Sequence, residues 1–316
     1  MELKAWDYES FPAFDEEAPG AVWLDTTGRE PGADYFQDVE YCEIDGVKLR
    51  LQILVPQCRE TRKYAGPEQA LDSGRPAYPC VVYVQGSGWM KQNVYHNLPQ
   101  IAKLAARGFV VAVAEYRHCG IAPFPAPVVD ARNAARFMRK NARRWCADPE
   151  KMIIAGDSSG GHTAVYAGIY HNDGDPAEDL FPGVSGEVKG IINLYGSTDF
   201  LFDDSNPSTP NHNLPDSPEG LEMGGINLRE DTAAAERLTV RANIFPRTRI
   251  APVLNLHGTK DRTVNCRCSV NLYERLKACG KDTELYLLRG ADHGGNEFWT
   301  DETLDIMERF IRRCVK

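Results

Sequence analysis

Gly156-Asp157-Ser158-Ser159-Gly160 follows the short apolar run Met152 to Ala155 and opens into a helix-compatible stretch, Gly161 to Tyr170. A strand that turns directly into a helix strains the residue at the turn, and glycines two positions to either side remove the Cβ atoms that would collide there. The expected product is a nucleophile elbow, with the Ser158 hydroxyl raised at a helix N-terminus. Unpaired backbone N–H groups and the positive end of the helix dipole can stabilise an oxyanion at such a place. A serine so placed attacks an acyl carbon only when a base takes its proton and donors receive the developing charge.

Candidates for both functions occur in a suitable chain order. The apolar run Val81 to Val84 ends at Gln85-Gly86-Ser87-Gly88-Trp89, where small residues let main chain approach a substrate. The expected oxyanion donors are the amides of Ser87, Gly88 and Ser159, although such a glycine-rich stop also suits an ordinary β-turn. His257-Gly258-Thr259-Lys260-Asp261 follows the strand pattern Val253 to Leu256. Asp261 then sits just past a strand's C-terminal end, where a carboxylate can orient a general-base histidine, though an aspartate in a turn also serves as a local cap. Gly290-Ala291-Asp292-His293-Gly294-Gly295 holds the one histidine downstream of Asp261. Ser, Asp, His in that order is the α/β-hydrolase sequence of catalytic groups, which sets His293 above the alternative of a solvated loop residue.

Taken together, Q-G-S-G-W, G-D-S-S-G-G, G-T-K-D-R-T-V and G-A-D-H-G-G resemble the α/β-hydrolase superfamily. Within it they are most similar to the esterase branch with hormone-sensitive-lipase-like carboxylesterases, kynurenine formamidases and bacterial carbohydrate (acetyl-xylan and feruloyl) esterases. The resemblance covers about residues 39–316. Such proteins usually carry H-G-G-G or H-G-G-x-W where this chain has Gln85, Gly86, Ser87, Gly88 and Trp89. Gln85 is expected to brace the loop through its amide in place of the usual histidine, and the Ser87 hydroxyl is free to meet substrate.

The resemblance implies an α/β-hydrolase fold, a doubly wound and mostly parallel sheet of about eight strands with helices on both faces. Strand patterns lie at Cys80 to Val84, Phe109 to Ala114, Met152 to Ala155, Ile191 to Leu194, Val253 to Leu256 and Glu284 to Leu288. Helical patterns alternate with them at Leu98 to Arg107, Val128 to Asn141, Gly161 to Tyr170, Ser269 to Cys279 and Thr303 to Arg313. Ahead of these, Asp38 to Cys42 and Lys48 to Val55 flank Asp45-Gly46 as an antiparallel hairpin. Pro56 to Pro79 is a polar connection. Residues 1–37 are expected to be an N-terminal extension, and 38–316 a hydrolase domain with a cap-like insertion at 197–250 that contains a short helix near Glu230 to Leu238.

A net charge of −9 and a pI near 5.4 disfavour nucleic acid and anionic membrane as partners. No stretch nears the roughly twenty apolar residues of a membrane span, and the acidic start lacks the features of a signal peptide. Nine cysteines, an odd number without framework spacing, fit a reducing, cytoplasmic setting. Cys266 and Cys268 lack the further ligands a zinc site needs, so neither metal nor cofactor is expected. The oligomeric state is not legible.

The expected chemistry is two-step acyl transfer on a small soluble ester. Ser158 attacks, His293 moves the proton under the orientation of Asp261, and water resolves the acyl-enzyme. Trp89 and Phe200, with Asp199 and Phe202, are candidate substrate contacts, core packing being the other role open to the aromatics. By resemblance the substrate is a short-acyl ester, with acetylated carbohydrate as one form. An amidase, formamidase or peptidase of the same fold would use the same residues, and a silent binding protein on this scaffold is the alternative without catalysis.

Overall fold

The structure, a computed structural model, describes residue 6 and residues 10–27, 30–57, 77–169, 180–201 and 206–316. Phe202 and nearly all of the 56–79 connection lie outside these residues. Eight strands are β1 (Ala33–Ile44), β2 (Val47–Pro56), β3 (Tyr78–Val84), β4 (Val110–Ala114), β5 (Ala147–Asp157), β6 (Gly190–Leu194), β7 (Val253–Gly258) and β8 (Thr283–Leu288). They form one sheet in the order β1-β2-β4-β3-β5-β6-β7-β8. The first two form a hairpin that reverses at Asp45-Gly46, β2 runs antiparallel to β4, and every later pairing is parallel.

Apolar runs make the central strands because both sheet faces are covered. All of β4, Val-Val-Ala-Val-Ala, is buried. Alternate residues along the pleat then serve opposite layers. Val81, Tyr83, Val111 and Ile153 face helices α1 (Leu98–Ala106) and α7 (Asp301–Cys314). Cys80, Val82 and Ala112 pack against α2 (Ala126–Lys140), while Ile154, Ile191 and Val253 pack with α3 (Ser159–Ile169) and α6 (Arg267–Ala278).

Helix α7 shows how sequence sets such an element. The Thr300 hydroxyl caps its N-terminus by accepting from the Thr303 amide, Asp301 and Glu302 sit in the first turn, and Arg312 and Arg313 sit in the last. These charges complement the helix dipole. Leu304, Met307, Phe310 and Ile311 form one buried face at helical spacing. Burying each is worth about 1.5–3 kcal/mol, so a charge at Met307 would break the docking of the helix.

Two boundaries differ from expectation for a shared reason. Strand β5 begins at Ala147, five residues before Met152, because Ala147 pairs with Tyr78 across a register shift even though Asp148-Pro149-Glu150 has no strand pattern. Likewise β1 begins at Ala33, where Ala33 to Phe36 pair with Ile53 to Pro56. Pairing partners, unlike local propensity, are set by tertiary structure. The 197–250 segment folds into helices α4 (Pro218–Glu222) and α5 (Thr232–Leu238) and a short turn of helix at Val240–Asn243. Helix α5 falls where one was expected, with the Asp231 side chain capping the Ala234 amide at 2.9 Å.

Candidate active site

Parallel strands bring their C-terminal ends to one edge, and the loops there carry the site. Ser158 follows β5, Asp261 follows β7, and His293 follows β8. The elbow is built by close approach: a Cβ at Gly156 would lie 2.2 Å from the Gly160 carbonyl oxygen, and one at Gly160 would lie 2.0 Å from that of Val84. Ser158 is thereby held at φ 52°, in the left-handed region that L-residues rarely occupy.

The structure brings Ser158, His293 and Asp261 together. His293 Nε2 lies 2.9 Å from the Ser158 hydroxyl, and His293 Nδ1 lies 2.7 Å from Asp261 Oδ2. The other carboxylate oxygen, Oδ1, accepts from the amides of Thr263 (2.9 Å) and Val264 (2.8 Å). Burial opposes the Asp261 charge, but hydrogen bonds from His257 and His293 outweigh it and hold the carboxyl well below the usual carboxylate range. The group is therefore anionic, and it fixes the imidazole so that Nδ1 carries the proton and Nε2 is free to accept one from Ser158.

His257, read only as a strand-end residue, is a fourth member of this cluster. Its buried ring places Nε2 3.1 Å from Asp261 Oδ2 and 3.0 Å from the Val264 carbonyl, while Nδ1 meets the Ser269 hydroxyl at 2.7 Å. A histidine ending a buried strand four residues before the acid was the signal available. Asp292 joins the two loops from outside, accepting from the amides of Arg262 (3.0 Å) and His293 (2.8 Å). Tyr195 backs His293, the two rings edge-on with centroids 5.0 Å apart.

Around the predicted oxyanion turn the structure differs from expectation at three points. The Ser87 amide donates to the Ser159 hydroxyl at 2.9 Å, whereas those of Gly88 and Ser159 engage no acceptor among the described residues. The Ser87 hydroxyl donates to the Met90 carbonyl (2.6 Å) and meets the Tyr116 hydroxyl (2.9 Å), so it is committed within the protein. Gln85 makes no brace through its side-chain oxygen, which is buried and unpartnered. Gln92 does that work instead: its Nε2 donates to the carbonyls of Gln85 (3.0 Å) and Ala114 (3.2 Å), and its Oε1 accepts from the Tyr116 amide at 2.9 Å. Asp157 ties the turn to the elbow by accepting from the Gly86 amide (3.0 Å) and the Tyr83 hydroxyl (2.8 Å).

The Ser158 hydroxyl opens on a cleft of about 520 Å³. Its walls include Gly86 to Trp89, His96 and Asn97 on one side and Pro210, His212, Pro218 and Glu219 of the 197–250 segment on the other. None of residues 10–27 and 30–37 lines it. Of the two expected aromatic contacts among the described residues, Trp89 lines the cleft and Phe200 does not. Phe200 is only 2% exposed and is not on the wall, and Trp89, 1% exposed, packs its ring edge-on against His162 at 5.1 Å. Both belong to an apolar cluster with Leu228, Ala235 and Leu238, and Trp89 also lines the cleft. Asp199 is turned to Arg241 and to Asn271 Nδ2, the latter at 2.8 Å.

Among the described residues, no group of three His, Cys, Asp or Glu side chains could hold a metal ion, and no helix is long and apolar enough to cross a membrane.

Comparison with known proteins agrees with this architecture. Esterase LipC of Mycobacterium tuberculosis is 27% identical over 243 residues, 72% of this chain and 57% of LipC. Isoprenylcysteine alpha-carbonyl methylesterase ICME of Arabidopsis thaliana is 23% identical over 221 residues, 68% of this chain and 50% of that protein. The matches thus span about half the length of these curated relatives. Among solved structures, a truncated carbohydrate esterase from gut microbiota superposes with a TM-score of 0.75 at 22% identity, covering 90% of this chain and 98% of that one. Esterase Est2 of Thermogutta terrifontis, bound to propionate, gives 0.65 at 24% identity, covering 90% and 95%. These likenesses show the α/β-hydrolase fold. The BD-FAE family profile matches residues 70–276, well over half of the sequence and including the oxyanion turn, the elbow and the acid loop, so the chain belongs to the BD-FAE family.

Proposed function

We propose that the protein is a serine carboxylic-ester hydrolase. One observation carries the reading: an imidazole nitrogen 2.9 Å from a hydroxyl held at φ 52°, with a buried carboxylate 2.7 Å behind the ring. Proton, nucleophile and orienting charge stand in the order that acyl transfer needs. Ser158 attacks the ester carbonyl and passes its proton to His293. The alcohol leaves with that proton, and water, activated by the same imidazole, releases the acid.

The oxyanion rests on the amides of Gly88 and Ser159, whose N–H groups are uncommitted. The Ser87 amide joins them only on release from the Ser159 hydroxyl, 2.9 Å away. Residues 197–250 act as a cap whose Pro218 and Glu219 limit the substrate's size. A cleft of about 520 Å³ suits a small soluble ester with a short acyl group. The likeness to a carbohydrate esterase supports acetylated carbohydrate as one natural form.

The test is Ser158→Ala. Turnover of p-nitrophenyl acetate should fall by on the order of 10⁴- to 10⁶-fold, and labelling by a fluorophosphonate should vanish. Retained wild-type turnover in a folded variant would refute the assignment.

A further inference from the structure

The cap contributes a hydrogen-bonded histidine–glutamate pair to the cleft that the hydrolytic machinery does not use. His212 and Glu219 both line the cleft and are both buried, Glu219 with only 4% of its surface exposed. His212 Nδ1 lies 2.8 Å from Glu219 Oε1, and His212 Nε2 lies 2.7 Å from the Thr263 carbonyl oxygen. A carbonyl can only accept, so Nε2 carries a hydrogen. The remaining proton lies between Nδ1 and Oε1, and either location leaves Oε2 a bare acceptor. That atom is buried without a partner. Burial lowers the basicity of His212, but Glu219, the Thr263 carbonyl and Asp261 together outweigh it and raise the imidazole above its ordinary value.

Helix α4 fixes where this acceptor stands. Its Ser217 cap accepts from the Gly220 amide at 3.0 Å, and Pro218 packs over the oxyanion turn, 3.1 Å from where a Cβ on Gly88 would lie. Glu219 therefore follows directly on the residue that covers the oxyanion turn and lines the same cleft as Ser158. Gln85 repeats the pattern independently. It lines the same cleft, is 4% exposed, and its Oε1 is also buried and unpartnered. Buried acceptors without partners cost stability unless a bound group supplies the missing hydrogen.

We propose that Glu219, positioned by His212, is a specificity residue that accepts a hydrogen bond from an O–H or N–H group carried by the substrate next to its ester. This rests on the ester-hydrolase reading above. It predicts preference for esters of alcohols bearing a hydroxyl or a protonated amine, and rejection of those bearing a carboxylate or phosphate at that position.

The experiment compares isosteric pairs on the full chain: 2-hydroxyethyl acetate against propyl acetate, and protonated 2-(dimethylamino)ethyl acetate against 3-methylbutyl acetate. Wild-type kcat/KM should favour the donor of at least one pair by about 10- to 100-fold. The pair that responds tells hydroxyl from ammonium. Glu219→Leu should collapse the ratio toward one, and Glu219→Gln should keep hydroxyl preference while losing ammonium preference. Turnover without discrimination by the wild type, or a ratio kept in Glu219→Leu, overturns the proposal alone. Should Glu219→Leu fail to fold, Glu219→Met, close to glutamate in volume, reads the same collapse of the ratio. No turnover of any of the four esters, with no fluorophosphonate labelling of Ser158, overturns the hydrolase reading as well.

Discussion

Asparagine at position 261 tests the relay, because the surroundings dictate which way the new amide must point. Oδ1 of Asp261 accepts from the amides of Thr263 and Val264 at 2.9 and 2.8 Å, and Oδ2 faces His293 and His257 at 2.7 and 3.1 Å. An NH2 group turned toward the two backbone donors would leave both unpaired, at about 1–3 kcal/mol each. Turned toward the imidazoles, it meets one ring, His293, that can move its proton to Nε2 at little cost. The other, His257, is held by the Val264 carbonyl at 3.0 Å and loses a hydrogen bond. The second orientation therefore wins by roughly one buried hydrogen bond, about 1–3 kcal/mol. In it, His293 presents N–H to the Ser158 hydroxyl and cannot accept its proton. Steady-state hydrolysis of p-nitrophenyl acetate should show kcat down by on the order of 10⁴, with KM much less affected and the fold intact by circular dichroism. A folded Asp261→Asn enzyme keeping about a tenth or more of wild-type kcat would refute the orientation argument.

Gln92→Ala removes three hydrogen bonds beneath the oxyanion turn and should cost about 2–4 kcal/mol of stability by urea unfolding, with kcat falling more than KM rises. Glu222 is fully buried with both carboxylate oxygens unpartnered, and burial pushes its carboxyl up to about 9. A group raised in the folded state holds its proton there while the unfolded chain releases it, so its contribution is lost as pH rises through that window, by up to about 1.4 kcal/mol per unit. Glu222→Gln should flatten the decline of Tm between pH 6 and 9, and an unchanged slope would count against a buried neutral acid. Ser159→Ala frees the Ser87 amide, so kcat should stay within about threefold or rise while stability falls by about 0.5–1.5 kcal/mol. A hundredfold loss of kcat would instead make that hydroxyl essential to the loop's shape.

The elements that were legible in advance are those whose partners need not be known. An all-buried strand such as Val110–Ala114 announces itself by composition, and α7 by caps and a buried face at helical spacing. The polar start of β5 was not legible, because Asp148-Pro149-Glu150 is strand only by virtue of Tyr78 across the register shift. Helix α4 was missed although Ser217-Pro218 is an N-cap followed by proline at the first helical position. Five residues are too few for a periodic signal to emerge.

The same distinction runs through the site. Ser158, Asp261 and His293 stand in loops whose glycines and chain order are local, one-dimensional information. The side chains that hold those loops in register are of ordinary type, whether within the motifs themselves, as Asp157, His257 and Asp292 are, or from elsewhere, as are Gln92 and the His212–Glu219 pair seven residues apart in an aperiodic segment. Their roles arise from unsatisfied main-chain or ring groups brought near them by folding, and a sequence does not show which groups folding leaves unsatisfied. Gln85 makes the point in reverse. Its amide was the obvious brace by analogy with histidine, yet Gln92 ties the carbonyls of Gln85 and Ala114 together, while the Gln85 side-chain oxygen stays buried without a donor in a residue that lines the cleft. Where one polar side chain satisfies the scaffold, a neighbour left unpartnered becomes available to substrate, so differences in specificity between related hydrolases can arise without any change in the catalytic groups themselves.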